Sequence, residues 1–120
     1  MTRWSLPRLL LQAEGATLLI AAAAAFWALG GSWTLFAVLI LAPDVCFLAF
    51  LGGRRAGTIA YNVAHAGVLP LALAAVALLA AERASALVAL VWLAHIGMDR
   101  ALGLGLKYVT HPKDTHFGRL

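Results

Sequence analysis

The chain has 120 residues, of which 63% are hydrophobic and only 12% charged, and its mean hydropathy is +0.91. Soluble domains carry roughly a quarter charged residues, so this composition excludes an ordinary water-soluble fold and leaves no length for a second domain. The net charge of +4 and the pI near 10.0 do not mark a nucleic-acid binder, because the basic residues flank hydrophobic stretches instead of forming one face; membrane lipids with anionic headgroups suit them better.

No Asp, Glu, Lys or Arg occurs from Gly15 to Pro43, from Ala56 to Ala81 or from Ala84 to Met98. The first two gaps supply the ~20 apolar residues that cross a ~30 Å hydrocarbon layer, and the third does so when extended past Asp99 and Arg100 to Leu106. The sequence predicts an all-α integral membrane four-helix bundle forming a single domain over residues 1–120. The first helix covers 7–29, opened by Ser5 and Pro7 and closed by Gly30-Gly31. Arg3 and Arg8 ahead of an apolar run look like a secretion signal, but Glu14 inside the run and the short break at Gly30-Gly31-Ser32 favour a retained helix. The second helix covers 32–51 and stops at Gly52-Gly53. The third covers 56–80, with a kink expected just beyond His65 because Pro70 lacks an N–H and crowds the carbonyl of Ala66. The fourth covers 85–106, and a polar tail occupies 107–120. Cys46, the only cysteine, reads as a packing residue and forms no intrachain disulfide.

With both termini inside, Arg3, Arg8, Arg54, Arg55, Arg100, Lys107, Lys113 and Arg119 fall on the cytoplasmic side and only Arg83 lies outside. That asymmetry predicts an N-in, C-in multi-pass protein of a bacterial inner membrane.

Depth then gathers the polar residues. At 1.5 Å per residue, Glu14 and Asp44 lie about 10 Å from the cytoplasmic ends of their helices, His65 roughly 13 Å and His95 roughly 16 Å. Asp99 sits one turn below His95. Tyr61 and His65 are four apart, as are His95 and Asp99, so each pair shares a helix face. Ionisable groups are expensive at such depth and must find partners. Two imidazoles and up to three carboxylates make a nitrogen and oxygen ligand set suited to zinc, iron or manganese, and helical bundles host such sites.

His65, His95, Asp99 and Asp44 are the candidate metal ligands; Glu14, Asp44 and Asp99 are the candidate catalytic carboxylates; Tyr61, Asn62 and Arg100 support them. The chemistry implied is a metal-dependent membrane hydrolase acting on a lipid or other apolar substrate, with metal-activated water and a spare carboxylate as base. Two non-catalytic readings stand beside it. The polar groups can pair with one another as a structural network, with Arg100 neutralising Asp44 or Asp99. Alternatively His65 and His95 can ligate haem or another tetrapyrrole as an axial pair, in a tetrapyrrole-binding protein or an accessory subunit of a larger membrane complex. Gly97, Ala101 and Gly105, four apart, form a small-residue ridge for close packing, including against a second copy in a homodimer. The tail residues Asp114, His116 and Arg119 are either solvated or fold back as a lid.

The combination of Leu41-Ala42-Pro43-Asp44, Tyr61-Asn62-Val63-Ala64-His65, Trp92 to Arg100, Gly103 to Tyr108 and Lys113 to Arg119 resembles a family of small bacterial four-helix membrane proteins, the domain of unknown function numbered 4260. The resemblance runs from about Glu14 to Arg119 and implies a four-span membrane protein. It implies no activity and no site residues.

Overall fold

The computed structural model describes residues 5–108 and 111–115. The first helix, α1 (Leu6–Ala28), begins where expected: the Ser5 side chain accepts from the Arg8 amide at 3.3 Å, and Pro7 lies in the first turn. It ends in a left-handed turn at Gly30 (φ 77°), where the amides of Gly30 and Gly31 reach back to the carbonyls of Trp27 and Phe26.

The second span departs from the single helix expected over 32–51. The α-helix α2 (Trp33–Leu39) is capped by Ser32 and stops after seven residues, and a 3₁₀ helix then runs from Ala42 to Gly52. Pro43 is the cause: it has no N–H to give Leu39, and its ring crowds that carbonyl four residues back. The change in winding stretches the segment, because a 3₁₀ helix rises about 2.0 Å per residue instead of 1.5 Å.

The third span is also broken. Two helices, α3 (Arg54–His65) and α4 (Val68–Leu79), are separated by extended backbone at Ala66 and meet at 40°. The kink expected just beyond His65 is thus a full interruption at that point, four residues before Pro70, at the carbonyl with which its ring competes. The fifth helix, α5 (Arg83–Ala101), is shorter than the expected 85–106. Gly103 (φ 83°) turns the chain out, and the amides of Gly103 and Leu104 bond the carbonyls of Arg100 and Asp99. Beyond it, β1 (Lys107–Tyr108) and β2 (His111–Thr115) pair antiparallel in a small ribbon alongside α3, where a plain tail was expected.

Among the described residues, three helical segments are long and apolar enough to cross a membrane, or up to four if the bent α3–α4 pair counts as one span. They do not form a symmetric bundle. The central element is α5: it packs along α1 on one side and α4 on another, and touches α2 and the 3₁₀ helix, while α3 packs on the 3₁₀ helix. The contact with α1 is backbone to backbone. A Cβ on Gly97 would stand 2.6 Å from the Gly15 carbonyl oxygen, and one on Gly15 would stand 2.8 Å from that of Gly97. Part of the ridge expected to face a second copy is therefore used within the chain: Gly97 meets α1, and the Ala101 carbonyl accepts from Gln12 at 3.3 Å. Gly105 lies past the end of α5 and is not on that helical stripe at all. Ala22, Leu93 and Ala94 form one core, and Phe26, Leu87 and Val91 a second one nearer the Arg83 end.

Candidate metal centre

Three elements deliver four ligand atoms to one point. His95 and Asp99 lie one turn apart on α5, His65 is the last residue of α3, and Asp44 is in the first turn of the 3₁₀ helix. His65 Nε2 and His95 Nε2 are 3.1 Å apart, and each lies 3.3 Å from Asp44 Oδ1 and 3.3 Å from Asp99 Oδ2. The remaining pair of atoms is within 4.8 Å. Five edges of a tetrahedron are thus 3.1–3.3 Å long. With a sixth edge of the same length the centre would stand about 2.0 Å from each corner, the length of zinc–nitrogen and zinc–oxygen bonds, and a sixth edge of 4.8 Å would move it out to about 2.4 Å. The set can hold a metal ion. The side chains of His65, His95 and Asp99 are buried, whereas that of Asp44 is 40% exposed.

Hydrogen bonding explains why both imidazoles turn the same nitrogen inward. His65 Nδ1 donates to the Tyr61 carbonyl one turn back at 2.9 Å, and the Tyr61 ring stacks on the imidazole with centroids 4.0 Å apart and planes 13° from parallel. His95 Nδ1 donates to the Ile40 carbonyl. That acceptor is free because of Pro43. In a 3₁₀ helix Ile40 would accept from residue 43, which is proline. In an α-helix it would accept from Asp44, whose amide instead bonds Leu41 at 3.1 Å. With Nδ1–H committed to a carbonyl, each Nε2 presents a lone pair, the usual arrangement behind a metal-bound histidine. Two lone pairs and two carboxylates then face one another with no donor among them. A divalent cation at the centre meets all four acceptors and offsets both carboxylate charges, which are expensive to leave uncompensated in a low-dielectric interior.

The helix break beside His65 is held by α5. Interrupting α3 strips the carbonyls of Ala64 and His65 of the amides that would follow in a continuous helix. Trp92 Nε1 donates to Ala64 at 2.6 Å, and Arg100 donates from one nitrogen to His65 at 2.9 Å and from another to Leu104 at 3.0 Å. These Arg100 bonds go to backbone carbonyls, where the sequence reading has Arg100 neutralising Asp44 or Asp99.

Other expectations change with the geometry. Glu14 is exposed on α1 and is not brought to the cluster. Its neighbour Gly15 faces α5, and adjacent residues on an α-helix point about 100° apart, so Glu14 is turned away. Tyr61 is buried over His65, and Asn62 is half-buried beside it on α3 without joining the ligand set. Cys46 Sγ lies 3.9 Å from His65 Nδ1, within hydrogen-bonding reach for sulfur. An axial pair on a tetrapyrrole iron needs two nitrogens on opposite sides of the metal, roughly twice a ~2 Å bond apart. Nitrogens at 3.1 Å that share their centre with two carboxylates cannot take that role. Of the proposed lid, His116 and Arg119 and the side chain of Asp114 lie outside the described residues. Trp92 and the Ile40 carbonyl were not anticipated; the prolines at 43 and 70, each within five residues of a ligand, were the available signal.

No curated protein matches the chain. No solved structure matches it either. The family model of the domain of unknown function DUF4260 matches residues 8–120, and the chain belongs to that family.

Proposed function

We propose that this is an intramembrane zinc protein that hydrolyses an apolar, membrane-resident substrate. The observation that carries the reading is the convergence of four acceptor atoms from His65, His95, Asp99 and Asp44 at edges of 3.1–3.3 Å. Tetrahedral geometry with nitrogen and oxygen donors favours zinc over manganese, which prefers six oxygen ligands. A divalent ion here supplies Lewis acidity and an activated water. His65, His95 and Asp99 are buried and fixed by α3 and α5, so they hold the centre. Asp44 is the exposed member, and its carboxylate is the one free to swing aside, open a coordination position and serve as general base. The N-in, C-in orientation in a bacterial inner membrane rests on the arginine and lysine asymmetry.

A second reading has its own support. Four protein ligands around one ion are the closed arrangement of structural zinc sites. On that reading the ion fixes the break between α3 and α4, and the chain is an accessory subunit of a larger membrane complex.

Elemental analysis of protein purified in mild detergent, without chelators or affinity-tag metals, tests the centre. About one zinc per chain, absent from the His65→Ala, His95→Ala double variant, is expected; no metal in either sinks both readings. Cleavage of a long-chain p-nitrophenyl ester by the zinc-loaded protein, faster than that of the acetate ester, separates them. Full zinc occupancy without turnover of either ester leaves the structural reading.

A further inference from the structure

A cleft of about 210 Å³ opens on the flank of the chain between the second span and α5, lined by Leu39, Ala42, Pro43, Val88 and Trp92. All five lining side chains are predominantly apolar, and the cleft adjoins the metal centre through the chain at two points. Pro43 directly precedes Asp44, the one exposed ligand, and Trp92 lies one turn from His95 and binds the carbonyl of Ala64 beside His65. From Trp92 to Val88 and from Pro43 to Leu39 the cleft runs about 6 Å along each element, away from the end of α5 that carries Asp99 and Ala101. It starts beside the ligands and runs along α5 toward its Arg83 end.

We infer that this cleft binds one acyl chain of an amphiphile from the leaflet that contains the metal centre, with the polar head of the amphiphile at Asp44 and the ion. The inference rests on the proposed metal centre and names the substrate class for it. Polarity carries it: a site that is ionic at one end and apolar along its length matches a molecule built the same way.

The test uses a variant that retains Trp92 as the sole tryptophan (Trp4→Phe, Trp27→Phe, Trp33→Phe), in phosphatidylcholine nanodiscs, titrated with a mid-chain dibrominated fatty acid that quenches indole at contact. Saturable quenching is expected. Filling the cleft from either wall, with Ala42→Phe or Val88→Phe, should weaken it at least fivefold while the zinc content stays at the parent value. His65→Ala, His95→Ala should weaken it severalfold by removing the anchor for the head. Quenching that rises linearly with bromolipid and is the same in every variant means bulk lipid contact only and overturns the inference. So does saturable binding that ignores the histidine substitutions. Saturable, cleft-dependent quenching in a parent protein without metal instead removes the metal centre and keeps the chain site, so the two failures are distinguishable.

Discussion

The two ends of the bundle use the same device for different purposes. At one end Arg83 donates to the carbonyls of Leu29 and Gly30, both at 2.7 Å, and ties the α1–α2 turn to the start of α5. At the other, Arg100 donates to the carbonyls of His65 and Leu104 and ties the broken third span to the end of α5. Around Arg83 everything else is packing: Phe26 meets Phe36 edge-on at 5.4 Å, and Trp27 stacks on Trp33 at 5.4 Å. Toward Arg100 the Ile40 carbonyl, released by the break in the second span, orients His95, and the carbonyls released beside His65 are held by Trp92 and Arg100. An arginine fork that closes a regular turn is structural. One that holds open a break whose neighbours are ligands fixes the geometry of a site, which is how discontinuous membrane helices are put to use elsewhere.

The largest effect should come from the ligands themselves. Replacing His65 and His95 with alanine should reduce zinc affinity by more than two orders of magnitude. It should also abolish the fall in unfolding temperature that a chelator causes in the parent protein, since a metal that binds only the folded state stabilises it. Chelator-insensitive unfolding in the parent would break the contrast between the two ends outright.

Next come the two arginines, compared directly. Arg100→Met takes this donor from the part-buried His65 carbonyl and the exposed Leu104 carbonyl and should cost about 1–3 kcal/mol, and zinc affinity should drop by roughly 10–100-fold as the break beside His65 relaxes. Arg83→Met removes exposed bonds, should cost about 1 kcal/mol, and should leave zinc affinity unchanged. Detergent-unfolding curves and competitive zinc titration read both quantities; equal effects on zinc would show that the ends are not specialised.

Pro43→Ala is a finer probe. The new N–H can bond Leu39 or Ile40, and in the second case it competes with His95 Nδ1 for its acceptor. Zinc affinity should fall about tenfold, within the range for groups that orient a ligand. Nitrogen NMR of the His95 ring should show the Nδ1–H population reduced, while global stability holds or rises because a helical bond is gained. An unchanged ring spectrum would mean that Pro43 does not set the tautomer.

Much of this site was legible because it depends on depth. Asp44, His65, His95 and Asp99 could be placed at one level from the rise per residue alone, and the i, i+4 spacing of His95 and Asp99 fixed their shared face. Facing on α1 was not legible, since the residues one turn from Glu14 (Leu10, Leu11, Thr17 and Leu18) mark no polar face, and the contact of Gly15 with Gly97 decides which way the helix is turned. The winding of the second span was misjudged for a different reason. Pro43 was read as part of a motif and not as a missing donor, so neither the switch to a 3₁₀ helix nor the carbonyl it frees could be foreseen. The end of α5 was lost in the same manner: the residues after Gly103, Leu104-Gly105-Leu106, read as more helix, and a left-handed turn leaves no mark on hydropathy.

The smallest effect belongs to the turns. Three of them, after α1, α4 and α5, close by the same pair of backward bonds, with Gly30 and Gly103 at the left-handed position in two and Ala81 (φ 52°) in the third. A residue with a Cβ is strained there by roughly 1 kcal/mol. Ala81→Gly should therefore stabilise the protein by up to about 1 kcal/mol, less the backbone entropy that glycine adds to the unfolded chain. Zinc affinity should not change, because this turn lies at the Arg83 end. Gly103→Ala should destabilise by a similar amount. It should also weaken zinc binding slightly, because the new methyl would meet the Arg8 guanidinium at 3.2 Å and the Gln12 amide at 3.3 Å, and Gln12 holds the last turn of α5 through Ala101. A loss of zinc affinity on Ala81→Gly as large as on Gly103→Ala would show that strain anywhere in the bundle reaches the centre and that the two ends are mechanically one unit.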